Sequence, residues 1–245
     1  MKIVFITALF GGKGGQPKKF NRIDEADYFL FSDRDQERFN TSWDVHNISD
    51  NHNISRLNCN IRKSRYPKFM GWELLESMNL AYDFIYYCDV HYSPSNSVDW
   101  NVVCDKIKTE GFSFAQDTHD NINVRRGGIN AECKSIPTHR RDTVSNMNKT
   151  LNYFKHKYTD VNLNAPQYFQ NTMFGYDPKC TAVRDITGEF WKAYTSSDIT
   201  FRDQPLWNLL LLKNNLIPIT TEPRLKDNLF IETGTYGSGS QHWYV

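Results

Sequence analysis

The sequence lacks the features that mark several common protein classes. Of its 245 residues, 29 are Lys or Arg and 28 are Asp or Glu, so it carries no basic excess of the kind that nucleic-acid-binding domains show. No hydrophobic run approaches the length needed to cross a membrane. Its five cysteines form no Cys-x-x-Cys pair and leave an odd count, which favours reduced thiols. We therefore expect no nucleic-acid partner, no membrane span and a cytoplasmic location, which would be the host cytoplasm if the chain is viral.

Standard phosphate-binding motifs are also missing. The glycine-rich segment 11–15 follows the first apolar run directly, but it has neither the Gly-Lys-Ser/Thr ending of a P-loop nor the Gly-x-Gly-x-x-Gly fingerprint. Backbone amides in such a segment can approach a phosphate closely, with Lys13 and Lys18 adding positive charge. A flexible surface loop explains the same residues equally well.

The sequence contains an alternation of strand and helix patterns, which predicts an open α/β sheet. The predicted strands are 2–10, 27–32, 43–48, 84–88, 112–116 and 216–220, and the stretch 170–178 is predicted as a strand and a turn. The predicted helices run through Met78 and over 98–108, 139–158, 187–194 and 201–214. The stretch 117–137 is too polar for core and is predicted as a long loop that could close over a ligand.

The most informative pattern is the apolar run Phe84–Cys88, which reads as a buried strand and stops at Asp89-Val90-His91. Alternate side chains of a strand share a face, so Asp89 and His91 are predicted to point the same way. A carboxylate and an imidazole side by side could both contact one divalent cation, which could then bridge a diphosphate. The simpler interpretation is that Asp89 only starts a turn.

Two further patterns carry charge next to predicted helices. Four cations in the segment 62–68 could face a diphosphate, although a solvated charged face is the common alternative. Asp203 falls in the first turn of the helix 201–214, where a negative charge meets the positive end of the helix. Asp203 is therefore either a helix cap or a carboxylate placed for chemistry.

In order and spacing these motifs resemble glycosyltransferases of the GT-A fold. Asp89-Val90-His91 stands where that fold has its metal motif, usually Asp-x-Asp, and Asp203-Gln204-Pro205-Leu206-Trp207-Asn208 is similar to an Asp-Gln-x-x-Leu-Asn helix start. Arg202-Asp203-Gln204, Phe31-Ser32-Asp33 and His139-Arg140 resemble plant mucilage- and pectin-type glycosyltransferase-like proteins. Small viral glycosyltransferases that decorate capsid proteins have a similar compact design. The resemblance runs from residue 1 to about residue 215.

The resemblance implies a single-domain, Rossmann-like GT-A fold over residues 1–245, with an open, mostly parallel sheet flanked by helices. Residues 1–115 would form the nucleotide-sugar-binding half, and 116–245 the acceptor-binding half with a C-terminal tail. The implied activity is metal-dependent transfer of a hexosyl or pentosyl group from a nucleotide-diphosphate sugar, with a UDP-sugar favoured. The acceptor would be a glycan or a glycoprotein.

The resemblance also assigns candidate residues. Three are predicted to bind the nucleoside: Thr7, Ala8 and Asp33. Three are predicted to bind the diphosphate: Lys63, Arg65 and Lys68. Three are predicted to hold Mn²⁺ or Mg²⁺: Asp89, His91 and His242. Asp203 is the predicted catalytic carboxylate, for acceptor activation or for binding a donor-sugar hydroxyl. The tail carrying His242 would close over the nucleotide, or else simply pack on the body.

Other function classes remain open at this point. A nucleotidyltransferase acting on a sugar phosphate would also combine a nucleotide-binding sheet with metal-binding carboxylates. A non-catalytic, lectin-like sugar-binding module would suit the aromatic content of 14%. A hydrolase with paired carboxylates is disfavoured, because the sequence shows no second acid clearly matched to Asp203.

Overall fold

Six strands form the central sheet of the computed structural model, which describes residues 1–11, 17–221 and 224–232. They are β1 (Ile3–Leu9), β2 (Ala26–Ser32), β3 (Asp44–Asn47), β4 (Phe84–Cys88), β6 (Phe114–Thr118) and β7 (Phe169–Tyr176). Their order in the sheet is β3-β2-β1-β4-β7-β6, and only β7 runs antiparallel to its neighbours. The predicted α/β class and the open, mostly parallel sheet are confirmed.

Helices cover both faces of this sheet. They are α1 (His52–Ser55), α2 (Asn60–Phe69), α3 (Gly71–Ser77), α4 (Trp100–Thr109), α5 (Ile122–Thr138), α6 (Val144–Lys157), α7 (Thr181–Ser196) and α8 (Asp203–Lys213). Side chains of β1 alternate between two buried clusters: Ile6 faces the larger one, with α2, α3 and α5 to α8, while Phe5 faces the smaller one, with α4. Burial on both faces is the reason that β1 reads as a continuous apolar run.

The stretch 117–137, predicted as a polar loop, is mostly helix α5, so that prediction was wrong. The side chain of Asn121 caps the helix by accepting a hydrogen bond from the backbone N–H of Asn123 at 2.9 Å. Within α5 the backbone turns at Gly128, whose φ is 57°, and a Cβ there would lie 2.6 Å from the carbonyl oxygen of Ala165. This break interrupts the helical period, which hid the apolar face carrying Ile129.

Other boundaries also differ from the sequence-based ones. The basic segment 62–68 lies inside α2 rather than before it, and a break at Met70 separates α2 from α3. Residues 139–140 form the turn after α5, and α6 begins only after its cap Thr143. Helix α7 begins at Thr181 instead of residue 187. The predicted strand 216–220 is reduced to a single β-bridge, in which Ile219 pairs with Ala115 of β6.

A second, two-stranded sheet lies next to the predicted metal motif. It pairs β5 (Tyr92–Pro94) with β8 (Phe230–Glu232) in antiparallel fashion, with Tyr92 opposite Glu232. Strand β8 therefore pairs with the strand that begins directly after the turn carrying His91. All five cysteines are free. Among the described residues, no helix is both long enough and apolar enough to span a bilayer.

Candidate active site

The carboxyl ends of the parallel strands carry the first group of candidate residues. Asp33 follows β2, and its two carboxylate oxygens accept hydrogen bonds from the backbone N–H of Gly11 at 3.2 and 3.0 Å. Gly11 has a φ of 77° and follows β1, so Asp33 fixes the backbone where the glycine-rich segment starts. Residues 12–16 lie outside the described part of the chain.

The two predicted nucleoside-binding residues of β1 lie on opposite faces of the sheet. Ala8 faces the larger cluster, on the side where α2 packs, and it is 8% exposed. Thr7 is completely buried, and its hydroxyl has no hydrogen-bond partner among the described residues. Only Ala8 therefore shares a face with the charged residues described next, and contact between Thr7 and a nucleoside stays a prediction.

Asp203 is the buried centre of the site. Its carboxylate lies at the start of α8, with Oδ1 at 2.9 Å from Nε of Arg65 and Oδ2 at 3.1 Å from Nζ of Lys68. Arg65 and Lys68 are three positions apart on α2, so their side chains leave the same face of the helix. Besides these two ion pairs, Asn171 on β7 donates a hydrogen bond to Oδ2 of Asp203 at 3.0 Å. Two predicted diphosphate-binding residues and the predicted catalytic residue thus meet in one cluster.

Lys68 connects this cluster to the metal motif at the end of β4. Its ammonium nitrogen lies 3.7 Å from Oδ1 of Asp89 and 4.9 Å from the centre of the Tyr87 ring. The Tyr87 hydroxyl donates to the same Asp89 oxygen at 2.9 Å. Lys68 is only 3% exposed. One buried ammonium group therefore lies between the carboxylates of Asp89 and Asp203.

Burial and ion pairing set the charge state of the cluster. Burial alone would raise the pKa of Asp203, but the charges of Arg65 and Lys68 outweigh it and hold that pKa well below its ordinary value. Burial lowers the pKa of Lys68, while Asp203 and Asp89 act in the opposite direction. Asp203 is therefore a carboxylate with very low proton affinity, suited to accepting hydrogen bonds.

A chain of side chains orients the amide of Asn171. Trp207 on α8 donates from Nε1 to Oε1 of Gln116 at 2.9 Å, and Nε2 of Gln116 donates to Oδ1 of Asn171 at 2.7 Å. The amide nitrogen of Asn171 is left facing Asp203. Gln116 and Asn171 were not predicted as site residues, although polar side chains within otherwise apolar strands are a recognisable signal.

A second buried carboxylate, which the sequence analysis missed, lies beside this cluster. Glu132 on α5 is 3% exposed; Gln204 donates to its Oε1 at 3.3 Å, and Nε2 of His119 lies 3.8 Å from its Oε2. Glu132 has Ile129 three positions before it and Ile136 four positions after it. An acidic residue on the apolar face of a helix is the signal that would have revealed it.

Glu132 and Asp203 differ in their proton affinity. Burial raises the pKa of Glu132, and the charges of Arg202 and Arg141 only partly oppose this. Burial also disfavours the charged form of His119, so it lowers the pKa of this residue. The backbone N–H of Asn121 donates to Nδ1 of His119 at 3.1 Å, so the neutral ring carries its proton on Nε2, toward Glu132. Two adjacent carboxylates with pKa values shifted in opposite directions characterise this site.

The four cations of the basic segment 62–68 have different surroundings in the structure. Arg62 is structural: it donates to the carbonyl oxygen of Ile199 at 2.7 Å and stacks on the ring of Tyr194 at 4.8 Å. Arg65 and Lys68 point into the site. The side chain of Lys63, half-buried on α2, makes no ion pair or hydrogen bond with the described residues. Its predicted role at a diphosphate stays a prediction.

Two of the three predicted metal ligands, Asp89 and His91, are among the described residues. Asp89 and His91 lie in one tight turn, in which the N–H of Tyr92 donates to the carbonyl oxygen of Asp89 at 2.9 Å. Burial lowers the pKa of His91 despite the opposing charges of Asp89 and Glu232, which favours the neutral, ligating form of the ring. Among the described residues, no group of three or more potential ligands is close enough to hold a metal. The predicted third ligand, His242, lies outside those residues.

Asp89 and His91 fit two positions of a metal site. The Tyr87 and Lys68 contacts of Asp89 both fall on Oδ1, so they leave the other carboxylate oxygen to a further ligand. A carboxylate oxygen and a neutral imidazole are both accepted by Mn²⁺, and oxygen is preferred by Mg²⁺. The donor set in the described part of the chain is therefore compatible with a divalent cation, but incomplete for one.

Comparison with known proteins relates the fold to glycosyltransferases. No protein-family model and no curated protein matches the chain. Among solved structures, a bifunctional glycosyltransferase, WbbM, in its apo form aligns with 89% of this chain at 11% identity and a TM-score of 0.50, and the chain spans 38% of that protein. Mouse xyloside xylosyltransferase 1, also apo, aligns with 90% of the chain and 85% of its own length at 7% identity, with a TM-score of 0.48. The chain has the GT-A glycosyltransferase fold, as predicted.

Proposed function

We propose that this protein is a glycosyltransferase that moves a hexosyl or pentosyl group from a nucleotide-diphosphate sugar, preferably a UDP-sugar, to a glycan or glycoprotein acceptor. The observation that carries the proposal is the position of Lys68. This buried ammonium group joins Asp89, at the carboxyl end of the central strand β4, to Asp203, at the start of α8. In open α/β sheets, ligands bind at this end of the strands.

The two halves of the sheet divide the substrate between them. We assign residues 1–115 to the nucleotide sugar, with Thr7, Ala8 and Asp33 near the nucleoside, and residues 116–245 to the acceptor. Support for this division comes from the strand order, which places β2 and β6 on opposite sides of β4. Asp203 lies between the two halves, next to both Lys68 of the first half and Asn171 of the second.

Asp203 acts on the donor sugar in this proposal. Its carboxylate is fixed by Arg65, Lys68 and Asn171, and its strongly lowered pKa makes it a poor proton acceptor. These properties favour the binding of a donor-sugar hydroxyl over the activation of an acceptor hydroxyl. Because its position is held by three donors, it would orient the sugar without moving during transfer.

The charges of the cluster support a requirement for Mn²⁺ or Mg²⁺. Arg65 and Lys68 are matched by Asp203 and Asp89, so these four groups together add no net positive charge for a diphosphate. We propose that Asp89, His91 and His242 hold the cation. When bound, it would supply the positive charge that stabilises the departing diphosphate. The contact with Lys68 would hold the Asp89 carboxylate in place for this ligation.

A thermal-shift screen of nucleotide sugars with and without Mn²⁺ tests the proposal. A donor present at 100 times its Kd should stabilise the protein by about 2.7 kcal/mol. The donors that bind are then incubated with the enzyme, and release of UDP and free sugar is measured for wild type, Asp89→Asn and Asp203→Asn. Asp105→Asn, at an exposed position of α4, is the matched control.

Each result separates the function classes. Metal-stimulated release of UDP that is lost in Asp89→Asn and Asp203→Asn, and kept in the control, supports the transferase. Release of pyrophosphate would instead indicate a nucleotidyltransferase. Binding of sugar without any turnover would indicate a lectin-like module. Either of these two outcomes would refute the proposal.

A further inference from the structure

Three arginines near the His119–Glu132 pair have no ion-pair partner among the described residues. Arg125 is on α5, Arg141 follows that helix, and Arg202 immediately precedes α8. None of the three forms an ion pair or a side-chain hydrogen bond with the described residues, and the Nε atoms of Arg125 and Arg202 are buried without a hydrogen-bond partner there. A buried guanidinium nitrogen without a partner is costly, which indicates a ligand group that completes it.

The charges of all three arginines act on the same pair of side chains, His119 and Glu132. Arg202 adjoins Asp203 and Gln204, and Gln204 contacts Glu132. The charges of Arg202 and Arg141 lower the pKa of Glu132, although burial has the larger effect on it. The charges of Arg141 and Arg125 likewise lower the pKa of His119, again by less than burial does.

Positive charge is in excess at this place. Asp203 is already matched by Arg65 and Lys68. Asp120, which also adjoins His119, is paired with Arg224 and Lys226. Among the described residues, the further carboxylates here are those of Glu132 and Asp142, and Asp142 is buried with its oxygens bonded to Thr143, Asn146 and Thr200. The described residues therefore supply at most two further carboxylates for three guanidinium groups.

The arginines belong to the acceptor side of the sheet. His119 directly follows β6, whereas the predicted nucleoside-binding residue Asp33 follows β2. In the strand order β3-β2-β1-β4-β7-β6, the ends of β2 and β6 are four strand spacings apart, about 19 Å. A group bound by these arginines would therefore lie past the donor diphosphate, on the far side of Asp203.

We propose that Arg125, Arg141 and Arg202 form an anion-binding subsite that holds a carboxylate or phosphate group of the acceptor glycan. This inference rests on the proposed glycosyltransferase function and narrows its acceptor to acidic glycans. Guanidinium groups suit this role because they bind both oxyanions in bidentate geometry and stay charged at every physiological pH.

The test compares matched ligands on the full-length protein in the presence of UDP and Mn²⁺. The ligands are a short oligosaccharide that carries one glucuronate, the methyl ester of the same oligosaccharide, and its analogue with a phosphate monoester. Affinities are measured by isothermal titration calorimetry. We expect the ester to bind about tenfold more weakly than the acid, because esterification removes the charge that the arginines recognise. The tighter of the two anionic ligands shows which oxyanion the subsite prefers.

Matched variants identify the residues. Arg125→Gln and Arg141→Gln should each weaken binding of the acid about five- to tenfold and leave binding of the ester unchanged. Arg126→Gln is the control, because Arg126 is the exposed neighbour of Arg125 on the same helix. Thermal unfolding confirms that each variant is folded.

Three results would overturn the inference: equal or absent binding of acid and ester, an equal loss in Arg126→Gln, or an affinity for the acid that falls as the UDP concentration is raised. The last result would place the anion in the diphosphate position. The donor-hydrolysis assay is independent of all three, so the inference can fail while the proposed function stands.

Discussion

The ammonium nitrogen of Lys68 lies 3.1 Å from Oδ2 of Asp203, although the two residues come from helices α2 and α8, far apart in the chain. Both side chains are almost completely buried, at 3% and 4% exposure. Desolvating two charges is costly, and in this pair the cost is offset by direct contact and by Arg65 on the other carboxylate oxygen. The pair is therefore both a packing element and the centre of the proposed active site.

Replacing Lys68 with methionine should destabilise the protein and stop transfer. The change removes the Lys68 ammonium group from Asp89 and leaves Arg65 as the ion-pair partner of Asp203. Breaking a buried ion pair in this way costs about 3 kcal/mol of stability. Urea unfolding at pH 7 measures the loss of stability, and UDP release measures the activity.

Lys63→Met is the matched control for this substitution. It removes the same charge from the same helix, but Lys63 makes no ion pair or hydrogen bond with the described residues through its side chain. Its free energy of unfolding should change by less than about 0.5 kcal/mol. Equal destabilisation by the two substitutions would mean that net charge, not the buried pair, is responsible.

Sequence patterns predicted the strands well because the parallel strands are buried on both faces and read as short apolar runs. Asp89 and Asp203 could also be selected, since Asp89 follows a strand and Asp203 begins a helix, and Arg65 and Lys68 could be selected from the charge of their segment. The partners of these residues could not, because they depend on tertiary contacts between distant segments. Glu132 in particular lies on a helix whose period is interrupted by a glycine at positive φ, so neither the helix nor its buried acid was recognised.

Gly128→Ala should destabilise the protein by about 2 kcal/mol or more. The residue has a φ of 57°, and a Cβ there would lie 2.6 Å from the carbonyl oxygen of Ala165, a backbone atom that cannot move aside alone. Thermal unfolding measures the effect. We also expect weaker donor hydrolysis, because the break in α5 positions Glu132 beside Gln204.

Gly188→Ala provides the opposite control. Gly188 lies in the middle of α7, and a Cβ there meets no atom within 4 Å. Alanine should stabilise this helix by up to about 1 kcal/mol. If Gly128→Ala were as stable as Gly188→Ala, the break in α5 would not require glycine.

Glu132→Gln should change how stability depends on pH. Because burial raises the pKa of Glu132 above its ordinary value of 4.5, the folded protein holds this proton more tightly than the unfolded chain does. That contribution to stability is complete below pH 4.5 and is lost as the pH rises through the higher pKa of the folded state. Glutamine stays neutral, so the variant should lose less stability than wild type as the pH rises from 4.5 to 7.

Glu37→Gln controls for the removal of a carboxylate, since Glu37 is exposed in the short 3₁₀ helix Gln36–Arg38. Denaturant unfolding at several pH values gives the two profiles. A Glu132→Gln profile parallel to that of wild type across this range would show that Glu132 titrates normally.

His91→Asp should preserve or strengthen the use of Mn²⁺. The substitution restores a pair of oxygen ligands in the Asp89 turn, which a hard cation prefers to one oxygen and one imidazole. Titration of donor hydrolysis with Mn²⁺ should give an equal or lower half-saturating concentration. Loss of the metal dependence in this variant would mean that His91 is not at the metal.

Truncation after residue 235 should weaken nucleotide and Mn²⁺ binding but spare folding. The shortened chain keeps β8, whose Glu232 lies opposite Tyr92 and acts electrostatically on His91, so the last described residue lies beside the proposed metal site. Ten residues can span at most about 35 Å, which is ample for His242 to reach that site from Glu232. Calorimetric titration with UDP and Mn²⁺ measures the binding, and thermal unfolding measures the stability.

His242→Ala in the full chain is the narrower test, because it removes only the predicted ligand. If both proteins bind UDP and Mn²⁺ as tightly as wild type, His242 is not a metal ligand and the tail does not close over the nucleotide.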